Sequence, residues 1–303
     1  MRTVLLSGGV GGAKLAAGLH DVLPPGELTV IGNVGDDVEV LGLHVSPDLD
    51  SLLYGLAGLN DEVRGWGRAD ETWHALESAV EWGGEGWFRL GDRDLGLHLV
   101  RTQLLRSGEP LSSVTARLTA AAGLATRLLP VTDDRLRTFV RTPAGELPFQ
   151  EWFVGRGHRD EVDGVRYEGA EQAEPAPGVL GALEQAGLIL VAPSNPYVSI
   201  GPILAVPPLR DVLRRRSVPC VAVSPLVGGR AVRGPLDRML SRMAGGTAPS
   251  RLAGLYEGLI DALVIDEADA PARAAVPLVT TSTLMVDRAG ARRLAETVLE
   301  AAA

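Results

Sequence analysis

The sequence predicts an α/β protein, a Rossmann-like doubly wound parallel sheet with an inserted α+β subdomain, and three observations carry that expectation. Residues 3–6 are a short apolar run ending in a glycine-rich turn, residues 13–23 follow with helical spacing, and residues 28–33 form a second apolar run. That β-loop-α-β order opens a parallel sheet, because a parallel neighbour is reached only through a crossover. Further strand candidates at 188–192, 218–223 and 263–266 follow helical stretches such as 178–185 and 208–216, and they extend the same sheet.

Between about residues 60 and 175 the texture changes. Helical spacing over 71–81 and 95–107 and at Leu111, Val114 and Leu118 is followed by strand-like pieces at 127–130, 137–142 and 149–154, then by a Gly- and acid-rich stretch from 156 to 177. These pieces are expected to build a small antiparallel layer. The reading is a nucleotide-binding core of residues 1–60 and 178–303, with an inserted subdomain at 61–177 that contributes to the acceptor site.

The chain has 303 residues, 46% of them apolar, and 38 acidic against 29 basic side chains give a formal charge of −9. An ordinary buried core is affordable at this size, whereas nucleic-acid binding is disfavoured for want of a basic face. The single cysteine, Cys220, lies in an apolar run, so intrachain disulfides and a thiolate zinc cluster are excluded. No apolar stretch of signal length opens the chain, and none approaches the roughly 18 residues of a membrane span. The expectation is a cytoplasmic protein with neither membrane nor nucleic-acid partners, acting as a homodimer on small molecules.

The turn Ser7-Gly8-Gly9-Val10-Gly11-Gly12-Ala13-Lys14 joins the first strand to the first helix. Gly8, Gly9, Gly11 and Gly12 would let the backbone approach a phosphate, and tight strand-helix packing is the competing reason for such glycines. The spacing is neither a dinucleotide fingerprint nor a P-loop, since no Ser or Thr follows Lys14. The second strand delivers Asn33-Val34-Gly35-Asp36-Asp37, and Ser46-Pro47-Asp48-Leu49-Asp50 follows. Carboxylates beside a phosphate site are what Mg²⁺ requires, with Asp36 the best ligand; capping of a helix beginning at Ser51 is the competing role for Asp48 or Asp50.

Trp66, Trp73, Trp82 and Trp87 crowd together with Arg64, Arg68 and Arg89 interleaved, where a planar heteroaromatic ligand could stack; packing anchors would look similar. Leu90-Gly91-Asp92-Arg93-Asp94 then places alternating charge on a turn before the helix carrying His98 and Arg101. Ala192-Pro193-Ser194-Asn195-Pro196 with Ser199-Ile200-Gly201-Pro202, and Ser224-Pro225 with Gly234-Pro235, sit at later strand ends on the side of the first loop. Three such loops define a crevice. No Gly-x-Ser-x-Gly elbow appears and no two histidines are spaced as a metal pair.

In this order, the motifs at 7–14, 33–37, 46–50, 90–94, Phe149-Gln150-Glu151-Trp152 and 192–202 make the whole chain resemble the 2-phospho-L-lactate transferase family of deazaflavin coenzyme F-420 biosynthesis. The resemblance implies a donor in which phospholactate or phosphoenolpyruvate is joined to GMP through a diphosphate, and the deazaflavin Fo as acceptor. It implies that Asp50 and Arg89 contact the deazaflavin, and that the first glycine loop with Ser194 and Asn195 holds the guanosine diphosphate part. Catalysis would rest on Asp50 or Asp48, with Mg²⁺ on Asp36 and Asp50. Asp50→Ala is expected to keep the fold and lose most turnover. A nucleotide-sugar-binding regulator of the gluconeogenesis-factor type is the alternative, against which the Trp/Arg segment speaks.

Overall fold

The computed structural model describes residues 1–302. The chain opens as β1 (Thr3–Ser7), α1 (Gly9–Val22) and β2 (Leu28–Gly32). Every residue of both strands is buried, as a strand covered on two faces requires. The glycine turn proves shorter than its sequence suggests, because α1 begins at Gly9 and the later glycines form its first turns.

A small hairpin follows, β3 (Val38–Val40) and β4 (Leu43–Val45), turned by Leu41 and Gly42 at φ 50 and 75. Two successive positive φ values are the mark of a tight antiparallel turn. Next come α2 (Pro47–Ala57), α3 (His74–Glu81), α4 (Asp92–Arg106) and α5 (Leu111–Ala121). Leu90 to Asp94, expected as a charged turn, instead runs into the first turn of α4 and is capped reciprocally. Asp92 accepts from the amides of His74 and Ala75 at the start of α3, while Glu71 accepts from those of Arg93 and Asp94 at 2.8 Å each.

β5 (Arg127–Pro130) corrects an expectation. Expected from its sequence in the antiparallel layer, it pairs in parallel with β2, Thr29 opposite Arg127, at the edge of the main sheet. The excursion between residues 61 and 177 therefore returns to the core midway. The antiparallel layer consists of β6 (Arg137–Thr142) flanked by β7 (Gly145–Pro148) and β8 (Gly164–Glu168). Residues 149–154, also expected as strand, form a wide helical turn at Glu151–Gly155. Phe149 and Phe153 stack at 5.2 Å with Trp152 beside them, and that i, i+3, i+4 spacing is helical.

The remaining elements are α6 (Val179–Glu184), β9 (Leu188–Val191), α7 (Ile200–Ala205), α8 (Leu209–Arg215), β10 (Cys220–Val223), the hairpin β11 (Leu226–Val227) and β12 (Arg230–Ala231), α9 (Leu236–Met243), α10 (Pro249–Leu255), β13 (Ala262–Asp266), β14 (Leu278–Thr281) and α11 (Arg288–Glu300). The main sheet runs β14-β13-β10-β9-β1-β2-β5, parallel throughout. From β1 the chain steps outward through β2 to β5, then crosses back to β9 and steps the other way. The strand order thus reverses between β1 and β9. Outside the carboxyl ends of two such strands lies the crevice in which α/β proteins bind ligands.

Candidate active site

At this reversal the loops after β1 and β9 are stitched together. The Gly8 amide donates to Ser194 Oγ at 3.3 Å, and Ser194 Oγ donates to Gly8 O at 2.6 Å. Small residues permit the approach: a Cβ on Gly11 would stand 2.6 Å from Pro193 O, and one on Gly12 would overlap Ser7 Oγ. Asn195 turns its own loop, its Oδ1 accepting from the amides of Tyr197 at 2.9 Å and Val198 at 3.3 Å. Lys14 points away from the loop. Its Nζ donates to Met285 O at 2.7 Å, beside a small cavity also lined by Ser51, Tyr54 and Trp66.

The end of β2 carries the acidic side of the site. Asn33 is fully buried and its Nδ2 donates to Asp48 Oδ2 at 2.9 Å and to Val198 O at 3.2 Å, with Asp36 Oδ1 at 3.4 Å. One amide therefore ties β2, the first turn of α2 and the 195–202 loop. Asp48 Oδ1 also accepts from the Gly9 amide at 2.6 Å. Gln150, delivered by the antiparallel layer, donates to Asp36 Oδ2 at 3.2 Å. Asp37 Oδ2 accepts from Ser46 Oγ at 2.9 Å and meets His44 Nε2 at 2.9 Å, whereas its buried Oδ1 has no partner.

Crowding and burial set the charge state here. Burial pushes the Asp36 carboxyl well above the usual carboxylate range, and the Asp48 and Asp37 charges add to the effect. Asp48 is pushed up to about 6 by burial, with the hydrogen bonds from Asn33 and Gly9 pulling the other way. The competing role, capping of a helix that begins at Ser51, does not apply: α2 starts at Pro47, and Asp48 and Asp50 lie in its first turn.

Asp50 faces a different neighbourhood. Both its oxygens are engaged by the Arg101 guanidinium, Nη1 reaching Oδ2 at 3.0 Å, and His98 Nδ1 lies 3.3 Å from the same Nη1. Arg101 is 2% exposed, and although burial opposes its charge, Asp50 raises its pKa above the ordinary guanidinium value. Burial lowers His98 to about 4, which leaves it neutral at pH 7. One turn along α2, Tyr54 OH donates to Asp94 Oδ1 at 2.5 Å.

Arg101, Gln150 and Tyr54 are the residues that the sequence reading passed over as functional candidates. A signal existed for the first: Asp94, His98 and Arg101 fall at i, i+4 and i+7 of α4, a polar stripe on one helix face. The tryptophan segment divides. Arg64 Cζ lies 4.9 Å from both the Trp66 and Trp73 rings, and Arg89 Cζ lies 4.9 Å from Trp73. Trp87 meets Phe88 edge-on and Trp82 is 90% exposed, so neither joins that stack.

Over the same chain, the family model described as "2-phospho-L-lactate transferase CofD" matches residues 3–302. The "phosphoenolpyruvate transferase" of Streptomyces griseus is 46% identical over 278 residues, covering 90% of this chain and 87% of that one. That of Nocardia farcinica is 42% identical over 299 residues, covering 94% and 90%. A crystal structure of a UPF0052 family protein from Bacillus halodurans superposes with a TM-score of 0.65 at 15% identity, over 98% of each chain, a likeness of fold.

Proposed function

The chain belongs to the 2-phospho-L-lactate transferase CofD family, and from that premise we propose that it transfers a phosphoenolpyruvate or 2-phospholactate group from a guanosine diphosphate adduct to the ribityl hydroxyl of the deazaflavin Fo, releasing GMP. The chain is a transferase of coenzyme F-420 biosynthesis. The phosphoenolpyruvate form is favoured by the name its relatives carry at 45–46% identity. The observation that carries the reading is the acidic corner at the strand-order reversal, where Asp48 meets the Gly9 amide at the start of α1 and Asn33 ties Asp48 to Asp36.

In the reaction the acceptor hydroxyl oxygen forms a bond to the phosphorus bearing the three-carbon acid, the bridging P–O bond breaks, and GMP leaves with that electron pair. The hydroxyl proton goes to a carboxylate. Asp48, pushed up to about 6, is matched to that task near neutral pH. Asp50, held by Arg101, would orient the acceptor, and Arg89 on its tryptophan would meet the deazaflavin from the exposed side.

The residues fit a hard cation. Asp36 is buried with only long amide contacts at 3.2 and 3.4 Å, and Asp37 Oδ1 is buried and unpartnered, so carboxylate oxygen is in excess. Mg²⁺ needs only one or two carboxylates, the rest of its shell being water and phosphate oxygen. Asp36 would hold it, leaving Asp48 free to take the proton, since Asp50 would first have to release Arg101. Bound there, Mg²⁺ would neutralise charge on the diphosphate.

The test is turnover by purified protein with Fo and each guanosine diphosphate adduct, with GMP and the phosphodiester followed by mass spectrometry. Product from the phosphoenolpyruvate adduct is expected. No product from either adduct, with saturable binding of a nucleotide sugar instead, would replace the transferase by the regulator.

A further inference from the structure

The start of α1, expected as an open anion site, is already occupied from within. The Gly9 amide, at φ +67, donates to Asp48 Oδ1 at 2.6 Å. Gly8 makes the approach possible, since a Cβ there would collide with Asp48 Oδ2 and stand 2.9 Å from Ser199 Cβ. Asp48 belongs to the first turn of α2, yet its carboxylate serves α1, a helix of 14 residues whose amides attract an anion.

A second observation points to a ligand at this place. Ser7 is 0% exposed and its Oγ has no hydrogen-bond partner. The hydroxyl is directed at the first turns of α1, because a Cβ on Gly12 would overlap it and lie 2.7 Å from Ser194 Oγ. A buried hydroxyl left uncommitted is costly, and hydroxyls donate well to phosphate oxygens. Around the start of α1, then, an internal carboxylate covers one amide while a donor beside it waits unused.

We propose that Asp48 is a built-in stand-in for phosphate: in the free protein its carboxylate occupies the Gly9 amide, and a phosphate oxygen of the incoming nucleoside diphosphate displaces it. The assignment of that anion to a nucleotide rests on the reading under Proposed function; the displacement itself does not. Two anions cannot share one amide, so binding is an exchange, and like charge at contact opposes it. The displaced carboxylate keeps its second anchor, the Asn33 amide at 2.9 Å, and stays beside the reacting groups. Its return to Gly9 assists departure of the nucleotide product.

The test measures binding of inorganic diphosphate and of GDP, in EDTA, by calorimetry on the wild type and on Asp48→Asn. The amide keeps an acceptor for Gly9 and removes the charge, so both ligands should bind the variant about tenfold more tightly, the effect of relieving one like-charge contact. Asp48→Ala, which removes charge and acceptor together, should tighten diphosphate as well, and thermal melts identify a variant that fails to fold. In the wild type, the Gly9 amide proton resonance should move when diphosphate saturates. Unchanged or weaker diphosphate binding by the folded variants, or an unmoved Gly9 resonance, overturns the proposal. Tighter diphosphate binding without any binding of GDP upholds the stand-in and removes the nucleotide reading.

Discussion

Asp94 shows how single residues carry the chemistry of this fold. Burial lifts its carboxyl from 3.8 to about 6, while the Tyr54 hydroxyl pulls in the other direction. Its folded value lies above its unfolded one, so the folded state holds the proton more tightly. The stabilisation is fully present below about pH 4 and is lost as pH rises through 6. Asp94→Asn mimics the protonated form. Its stability relative to wild type should improve between pH 4 and pH 7 by up to about 3 kcal/mol, measured by urea denaturation at each pH. A pH-independent difference would place the Asp94 charge outside the buried network.

Asp50 changes an expectation drawn from sequence. Asp50→Ala leaves the buried Arg101 charge with only the neutral His98 ring beside it, and breaking a buried ion pair in that way costs about 3–5 kcal/mol. The variant is expected to lose that much stability in addition to turnover. Double replacement of Asp50 and Arg101 by apolar residues should recover most of that stability, and it should not recover turnover. Equal losses in the single and double variants, read from denaturant midpoints, would show that the pair is not coupled.

At the scale of elements, α4 inverts the usual pattern. It buries Asp94, His98, Arg101 and Thr102 while Leu99 and Val100 are 57% and 46% exposed. Period alone identifies a helix here, but the buried side of a helix is normally its apolar side, so period does not show that the polar stripe faces inward. Residues 149–154 failed for a related reason: aromatic side chains suit strands, and only their packing revealed the helical spacing. β5 was read correctly as a strand and placed in the wrong sheet, because four residues carry no record of their partner.

Arg233, in the loop between β12 and α9, clasps the 61–68 loop. Its Nη1 donates to Arg64 O at 3.0 Å and Gly65 O at 2.9 Å, and Gly65 sits at φ +74 where a Cβ would overlap the guanidinium. Gly65→Ala or Arg233→Ala should release the 61–68 loop. Hydrogen bonds from a charged donor contribute about 1.5–3 kcal/mol, so limited proteolysis there should run roughly tenfold faster or more. Unchanged cleavage would mean that the clasp does not hold the loop.

For the whole molecule, the sheet centre offers a reporter. Cys220 is 0% exposed in β10, and burial pushes its thiol up to about 12. Thiolate is the reactive form, so labelling should be negligible in the native state and should follow global unfolding. Labelling rates across a denaturant series are expected to match the unfolding free energy from circular dichroism. Faster labelling would reveal local opening of β10.

The sequence by itself determined the doubly wound core, because strands buried on both faces must be continuous apolar runs and glycines must mark close approaches at their ends. It also brought Asp36, Asp48 and the glycine turn into one neighbourhood, since all follow the first two strands. Only the tertiary structure decided what each carboxylate faces: Gly9 and Asn33 for Asp48, Gln150 for Asp36, Arg101 for Asp50. Those partners come from as far as 114 residues away along the chain. Charge state follows burial and proximity in space, and spacing along a sequence records neither.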